Sequence, residues 1–201
     1  MQQLLNKTKK FTPEDVAKVL RDQNGLNDRK IGLTNEKGIN QLIAHHSIIF
    51  KPEERLVWLS TSPYQLGKYV CYDLNKVFSE APGMSISKEI QDSSKTISED
   101  PFLRSKEYQN FLVFKKLKYY IQYCTKSPYD LKVVDSFINA FVASNPNSYF
   151  TYWVVGDYYS KEKNTDEALR YYREALTKEV ATQKESAAIQ DHIVSLEKTK
   201  N

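Results

Sequence analysis

His45 and His46 stand side by side and are followed by Ser47, in a chain of 201 residues with three histidines and two cysteines. Adjacent histidines invite a metal reading. Neighbours on a strand point to opposite faces, however, so at most one of them can serve a given site. No Asp or Glu lies at ligand spacing beside them, and structural or loop histidines are the expected reading. His45 and Ser47 do share a face, and with Asp73 they form a candidate set for a stand-alone hydrolase, although the sequence places no acid beside the pair. Cys71 and Cys124 belong to no CxxC, so neither a zinc framework nor a disulfide scaffold is indicated. Both read as core residues rather than reactive thiols. Gly67 is a lone glycine in Gln65-Leu66-Gly67-Lys68-Tyr69, and Gly25, Gly32 and Gly38 are too scattered for a nucleotide loop. No residue is therefore assigned to catalysis, to a cofactor or to a metal, and no cofactor is expected.

The charge balance narrows the partners. With 29 basic and 25 acidic residues the formal net charge is +4, near balance. A nucleic-acid footprint needs its basic residues clustered on one face. The densest cluster, Lys115, Lys116 and Lys118, interleaves with apolar residues at helical spacing and reads as a solvated helix face. No nucleic-acid partner is expected. The first fifteen residues hold no apolar run long enough for a signal segment. No stretch approaches the roughly 20 apolar residues of a membrane span.

The elements that must position these residues fall into two groups. Thr12-Pro13-Glu14-Asp15 starts a helix: Thr12 can cap, Pro13 suits the first helical position and the acids favour the positive end of the dipole. Val16, Val19 and Leu20 give its apolar side, and it is expected to stop near Asn24-Gly25. Gly25 to Asn40 reads as loop. Three strands follow, Ser47–Phe50, Leu56–Ser60 and Tyr69–Leu74, with Lys51-Pro52-Glu53-Glu54-Arg55 as the first turn. Three short strands need a packed face to be stable, and the remaining sequence offers few others. Residues 79–105 contain Pro82-Gly83, a serine-rich middle and Asp100-Pro101. They read as a linker, with a short helix at Lys88 to Gln91. From Lys106 the period becomes helical, carried by Phe111, Phe114, Leu117 and Ile121. Ser127-Pro128 breaks that helix; Leu131, Val134, Phe137, Ile138 and Phe141 build the next, and Asn145-Pro146-Asn147 breaks again.

Tyr149 to Val180 resembles a tetratricopeptide repeat, whose motif asks for W-x2-L-G-x2-Y followed by Ala and aromatic positions. Tyr152 holds the Trp place and Val155 the Leu place; Gly156 and Tyr159 match outright, and Ala168, Tyr172 and Ala175 follow at the motif's spacing. Gly156 and Ala168 are small where two helices would touch, and Tyr172 fills the space beside them. Asn164-Thr165-Asp166-Glu167 turns the chain and caps the second helix. One period earlier, Val134, Ile138, Phe141 and Pro146 fall on a degraded copy in which Gln122 replaces the glycine. One period later, Ile189 and Ile193 mark a capping helix at about 184–198.

The first 78 residues are similar to the C-terminal end of the penicillin acyltransferase-like hydrolases, which are N-terminal nucleophile (Ntn) hydrolases related to linear amide C–N hydrolases. The similarity rests on Thr12-Pro13-Glu14-Asp15 through Leu20-Arg21-Asp22, then His46–Phe50 and Leu56–Ser60. It continues from Pro63 into Leu66-Gly67-Lys68-Tyr69 and Tyr72-Asp73-Leu74. The resemblance implies a four-layer αββα sandwich and a nucleophilic Cys freed at a new N-terminus. Neither Cys71 nor Cys124 fits that role, so no catalytic residue is carried over. The expected fold class is α+β: an N-terminal helix and short antiparallel strands, then an all-α helical-hairpin domain. The expected domains are an Ntn-like fragment at 1–78, a linker at 79–105 and a tetratricopeptide-like domain at 106–201. The implied function is the C-terminal portion of an acyltransferase or amide hydrolase, inactive alone. A non-enzymatic interaction module binding a peptide or protein is the alternative. The implied partners are a protein, or the missing N-terminal part of the same enzyme, with homo-oligomerisation through the sheet edge as a further expectation.

Overall fold

The computed structural model describes residues 2–6, 10–80 and 89–200. The chain is mixed α+β, with a small four-stranded antiparallel sheet and several helices. It divides into two compact units: residues 1–27 with 39–103, and residues 28–38 with 104–201.

The first unit opens with α1 (Gln2–Leu5) and α2 (Pro13–Leu20). Thr12 caps α2 through a reciprocal box: its Oγ1 accepts from Asp15 N–H at 3.2 Å, and its own N–H donates to Asp15 Oδ2 at 3.1 Å. The helix ends at Arg21 rather than near Asn24-Gly25, with Arg21 N–H closing on Ala17 O at 3.0 Å. The strands are β1 (Ile48–Lys51), β2 (Leu56–Ser60), β3 (Tyr69–Asp73) and β4 (Asp92–Ile97), in sheet order β1-β2-β3-β4. A 3-10 turn over Pro52–Glu54 joins β1 to β2, with Arg55 left-handed at φ 54°. Leu74, expected to end the third strand, instead begins α3 (Leu74–Glu80).

The expected linker needs correction. Asp92–Ile97 pairs antiparallel with β3, Tyr69 opposite Ile97 and Cys71 opposite Asp92, with an irregularity between. Much of residues 79–105 thus belongs to the sheet unit. The helix expected at Lys88–Gln91 begins outside the described residues, and Glu89, Ile90 and Gln91 are not helical. Ala17, Val16 and Leu20 of α2 cover Ile49, Leu56, Trp58, Tyr69, Cys71 and Ile97, which form the unit's core. Trp58 Nε1–H donates to Lys95 O at 2.8 Å, so the large ring is buried without leaving its polar atom unpaired.

The second unit is built from α4 (Lys106–Lys126), α5 (Asp135–Ser144), α6 (Tyr149–Lys161), α7 (Thr165–Leu176) and α8 (Gln183–Lys200). Ser105 caps α4, accepting from Tyr108 N–H at 3.0 Å. α5 starts later than the apolar spacing suggests. Leu131 and Val134 precede it, because Val133 is the residue drawn inward: it is buried, and its N–H donates to Tyr158 Oη at 2.8 Å. Phe114 of α4 stacks on Phe141 of α5 with ring centroids 5.0 Å apart. Asn164 caps α7, its Oδ1 accepting from Glu167 N–H at 3.3 Å. α6 and α7 meet at Gly156, where an added Cβ would lie 2.7 Å from Tyr172 Cδ1. Tyr172 Oη–H donates to Asp157 at 2.8 Å, and its ring stacks on His192 of α8 at 5.1 Å. Ile189 and Ile193 of α8 are buried.

Candidate functional site

The sheet has two faces of unlike character, and the registers assign each residue. Ile49, Trp58 and Cys71 lie opposite one another, as do Lys51, Leu56 and Asp73. That face is covered by α2. The other face carries Ile48, Leu59 and Val70 in one row and Phe50, Val57 and Tyr72 in the next. On β1 to β3 its residues are apolar; Phe50 is 65% exposed, Ile48 48% and Leu59 37%, while Val57 in the central strand is buried. Val70 and Tyr72 are half-buried. A half-solvated antiparallel sheet ordinarily alternates apolar and polar residues. Here α2 covers the face built on Ile49, Trp58 and Cys71, and the opposite face leaves Phe50, Ile48 and Leu59 exposed.

A polar network holds one end of the covered face. Arg21, buried at the end of α2, donates from Nη2 to Gly67 O at 2.6 Å and to Ser98 O at 2.9 Å. Its guanidinium lies 5.0 Å from the centroid of the Tyr69 ring and 3.9 Å from Asp100. Tyr69 Oη bonds Ser47 Oγ, and Ser47 N–H donates to the buried Ser60 Oγ at 2.8 Å. Burial pushes the Arg21 pKa down, opposed by Asp100 and Tyr69; burial likewise pushes the Tyr69 phenol up, opposed by Ser47 and Arg21. The network closes the 61–68 loop, which includes the cis Ser62–Pro63 bond.

The residues singled out for chemistry are not assembled. His45 and His46 are both exposed, and His46 Nδ1 lies 3.2 Å from Ser60 O. Ser47 stands at the Ser60–Tyr69 end of the sheet. Asp73 stands four residues further along β3, about 13 Å away at strand rise, where its Oδ1 accepts from Asn75 N–H at 3.0 Å. Cys71 is fully buried, and burial first, then Asp92, raises its thiol pKa. A raised pKa suppresses the thiolate that a nucleophile needs. Cys124 is buried in α4. Among the described residues no group of three His, Cys, Asp or Glu is placed to hold a metal. No described helix is long and apolar enough to cross a membrane. A cavity of about 390 Å³ near α3 is lined by Arg55, Leu74, Asn75 and Phe78, with Arg55 Nη1 donating to Asn75 Oδ1 at 2.7 Å.

The lysine cluster on α4 is arranged around aromatic rings. Lys115 Nζ lies 5.7 Å from the Phe111 ring; Lys118 Nζ lies 4.9 Å from Tyr119 and 6.0 Å from Phe150 of α6. Arg21 and Tyr69 had no signal in residue spacing, because the partners of Arg21 lie 44 to 77 positions away. No family model, no curated protein and no solved structure matches this chain. What the chain is comes from its own geometry: a mixed α+β protein whose sheet leaves Phe50, Ile48 and Leu59 exposed on the face opposite α2.

Proposed function

We propose that the chain is the non-catalytic C-terminal portion of an Ntn-type acyltransferase or linear amide hydrolase, carrying a tetratricopeptide-like helical unit. The observation that carries this reading is the exposure of Phe50, Ile48 and Leu59 around the buried Val57, on the sheet face opposite α2. An αββα sandwich is two such helix-on-sheet halves stacked face to face, each burying the other's apolar side. The sheet unit has the composition of one half. Its role is to furnish sheet and pocket wall to a partner that carries the nucleophilic cysteine. The burial of Cys71 inside the sheet core agrees with that division.

The test is co-expression with the segment encoded immediately upstream, followed by co-purification and a panel of linear amides. The proposal expects a stable assembly that hydrolyses an amide, a Cys-dependent activity in the upstream segment, and loss of assembly with Phe50→Asp. Failure of the two to associate, or an assembly indifferent to Phe50→Asp, would falsify it.

The alternative is a tetratricopeptide-like interaction module. It draws on the aromatic–cation surface formed by Lys118, Tyr119 and Phe150 on α4 and α6. On that reading Lys118→Ala and Phe150→Ala weaken partner binding and Phe50→Asp does not. The same co-purification experiment therefore separates the two.

A further inference from the structure

The net charge of the chain is concentrated on one helix. Residues 108–129 hold Lys115, Lys116, Lys118 and Lys126 and no acid, a local balance of +4 in a chain whose formal total is also +4. The same stretch leaves large rings in solvent: Tyr119 is 63% exposed and Tyr123 65%. Lysines alone make a solvated helix face. Tyrosines set between them change its character, because exposed aromatic residues are enriched where proteins meet their partners.

Two of these lysines turn toward α6. Lys118 Nζ lies 4.9 Å from the Tyr119 ring and 6.0 Å from the Phe150 ring. Lys126 stands near Asp157: burial raises the Asp157 pKa, and the Lys126 charge is among the influences that oppose it. Phe150, Trp153 and Asp157 recur at spacings of three and four along α6 and so form one stripe. All three are half-buried, whereas every residue between them is buried. The Phe150 and Trp153 rings meet edge to face at 6.3 Å. Asp157 Oδ1 accepts from Tyr172 Oη–H at 2.8 Å. The face shared by α4 and α6 thus combines two aromatic rings, one anchored carboxylate and two cations along its α4 side.

We propose that this face binds an extended acidic peptide, with carboxylates on Lys118 and Lys126 and an apolar side chain on the Phe150 and Trp153 rings. The proposal rests on the interaction-module reading of Lys118, Tyr119 and Phe150 and names the chemistry of its partner. Helical rise sets the ligand spacing. Lys118 and Lys126 are eight residues apart on one helix, about 12 Å along its axis. An extended chain rises about 3.3 Å per residue and returns to the same side every second residue. Carboxylates four positions apart therefore stand about 13 Å apart on one side, with the residue midway between them facing the same way. Asp157 decides between polymers of negative charge. A nucleic-acid strand would bring an unbroken line of phosphates past that carboxylate, whereas a peptide brings amide N–H groups, which can donate to it.

Fluorescence anisotropy on the full chain tests this. The probe is a rhodamine-labelled seven-residue peptide with glutamates four positions apart and a leucine midway; its counterpart carries glutamine in place of both glutamates. The acidic peptide is expected to bind about fivefold or more tightly than its counterpart, and K118Q/K126Q to lose about the same factor. K116Q/K198Q makes the same change of net charge at two exposed lysines; Lys116 lies about 200° round the helix from Lys118. That control is expected to weaken binding by less than about twofold. Equal binding of the two peptides overturns the proposal. So does undiminished binding by K118Q/K126Q with the parent's circular dichroism, or tighter binding of a seven-nucleotide oligouridylate than of the acidic peptide. The interaction-module reading fails separately, if Lys118→Ala leaves co-purification of a protein partner unchanged, so the two failures are distinguishable.

Discussion

Gly156→Ala is the sharpest probe of how the helical unit is packed. In an open helix this change stabilises by about 1 kcal/mol, because glycine gives up more backbone entropy than alanine. Here the new methyl would fall 2.7 Å from both Cδ1 and Cε1 of Tyr172, closer than carbon atoms approach. The ring has little freedom to yield. It is 1% exposed, its hydroxyl is held by Asp157 at 2.8 Å, and its face lies on His192 with planes 6° apart. Overpacking of this kind costs about 1–3 kcal/mol. If the ring shifts, the half-buried Asp157 loses its donor, at a further cost of about 1–3 kcal/mol. Set against the helix gain, the net expectation is destabilisation by about 1–3 kcal/mol, or a fall in Tm of roughly 5–15 °C for a unit of this size. Urea and thermal unfolding followed by far-ultraviolet circular dichroism measure it. A Gly156→Ala chain as stable as its parent, or more so, would show that α6 and α7 do not touch at this point.

Other expectations follow from the two units separately. Arg21→Met removes the donor to the carbonyls of Gly67 and Ser98, and is expected to destabilise the sheet unit by about 1–3 kcal/mol; Trp58 fluorescence in a Trp153→Phe background reads it, and a loss below about 0.5 kcal/mol would remove Arg21 as the organiser of that loop. Burial raises the Asp157 pKa against the opposing influence of Tyr172, His192, Trp153 and Lys126. A carboxylate whose folded pKa is raised binds protons more tightly when folded, so its contribution grows as pH falls from above the folded value to the unfolded value near 3.8. D157N, which keeps the acceptor for Tyr172, should stabilise the helical unit at neutral pH and flatten that part of the stability profile; an unchanged profile would contradict the burial argument. Phe50→Asp, at a position 65% exposed, should change the stability of the isolated chain by no more than about 0.5 kcal/mol. A larger loss would mean that the face is already covered within the chain.

Local signals were legible in the sequence and distant ones were not. Thr12 and Asp15 lie three residues apart, and the capping box they form could be read directly. Gly156 and Tyr172 are sixteen residues apart on a repeating pattern, and their contact was likewise readable. β4 was missed because Asp92-Ser93-Ser94-Lys95-Thr96-Ile97 is polar and buries only Ile97 fully. A polar edge strand has the composition of a linker, since its exposed side has nothing to pack against. Leu131 and Val134 were assigned to a helix on spacing alone, whereas Tyr158 draws Val133 inward from 25 positions away. Residues 28–38 read as loop because they lie in Gly25 to Asn40, a stretch punctuated by glycine and asparagine. The partners of these residues, Asn145 and Glu179, lie 112 to 150 positions away, beyond any local pattern. The separation of Asp73 from Ser47 along the sheet needed the β2–β3 register.

The claim on which the functional reading turns is that the Ile48–Phe50–Leu59 face is made to be covered by a second sheet. Burying what remains exposed of Phe50, Ile48 and Leu59 is worth about 2–4.5 kcal/mol, at roughly 1.5–3 kcal/mol for each whole side chain. Hydroxyl-radical footprinting, comparing the isolated chain with its assembly with the upstream-encoded segment, measures that coverage residue by residue. The account predicts strong labelling of Phe50 and Leu59 in the isolated chain and near-complete protection in the assembly, with the exposed Tyr129 of the helical unit unchanged. Equal labelling of Phe50 in both states would contradict it.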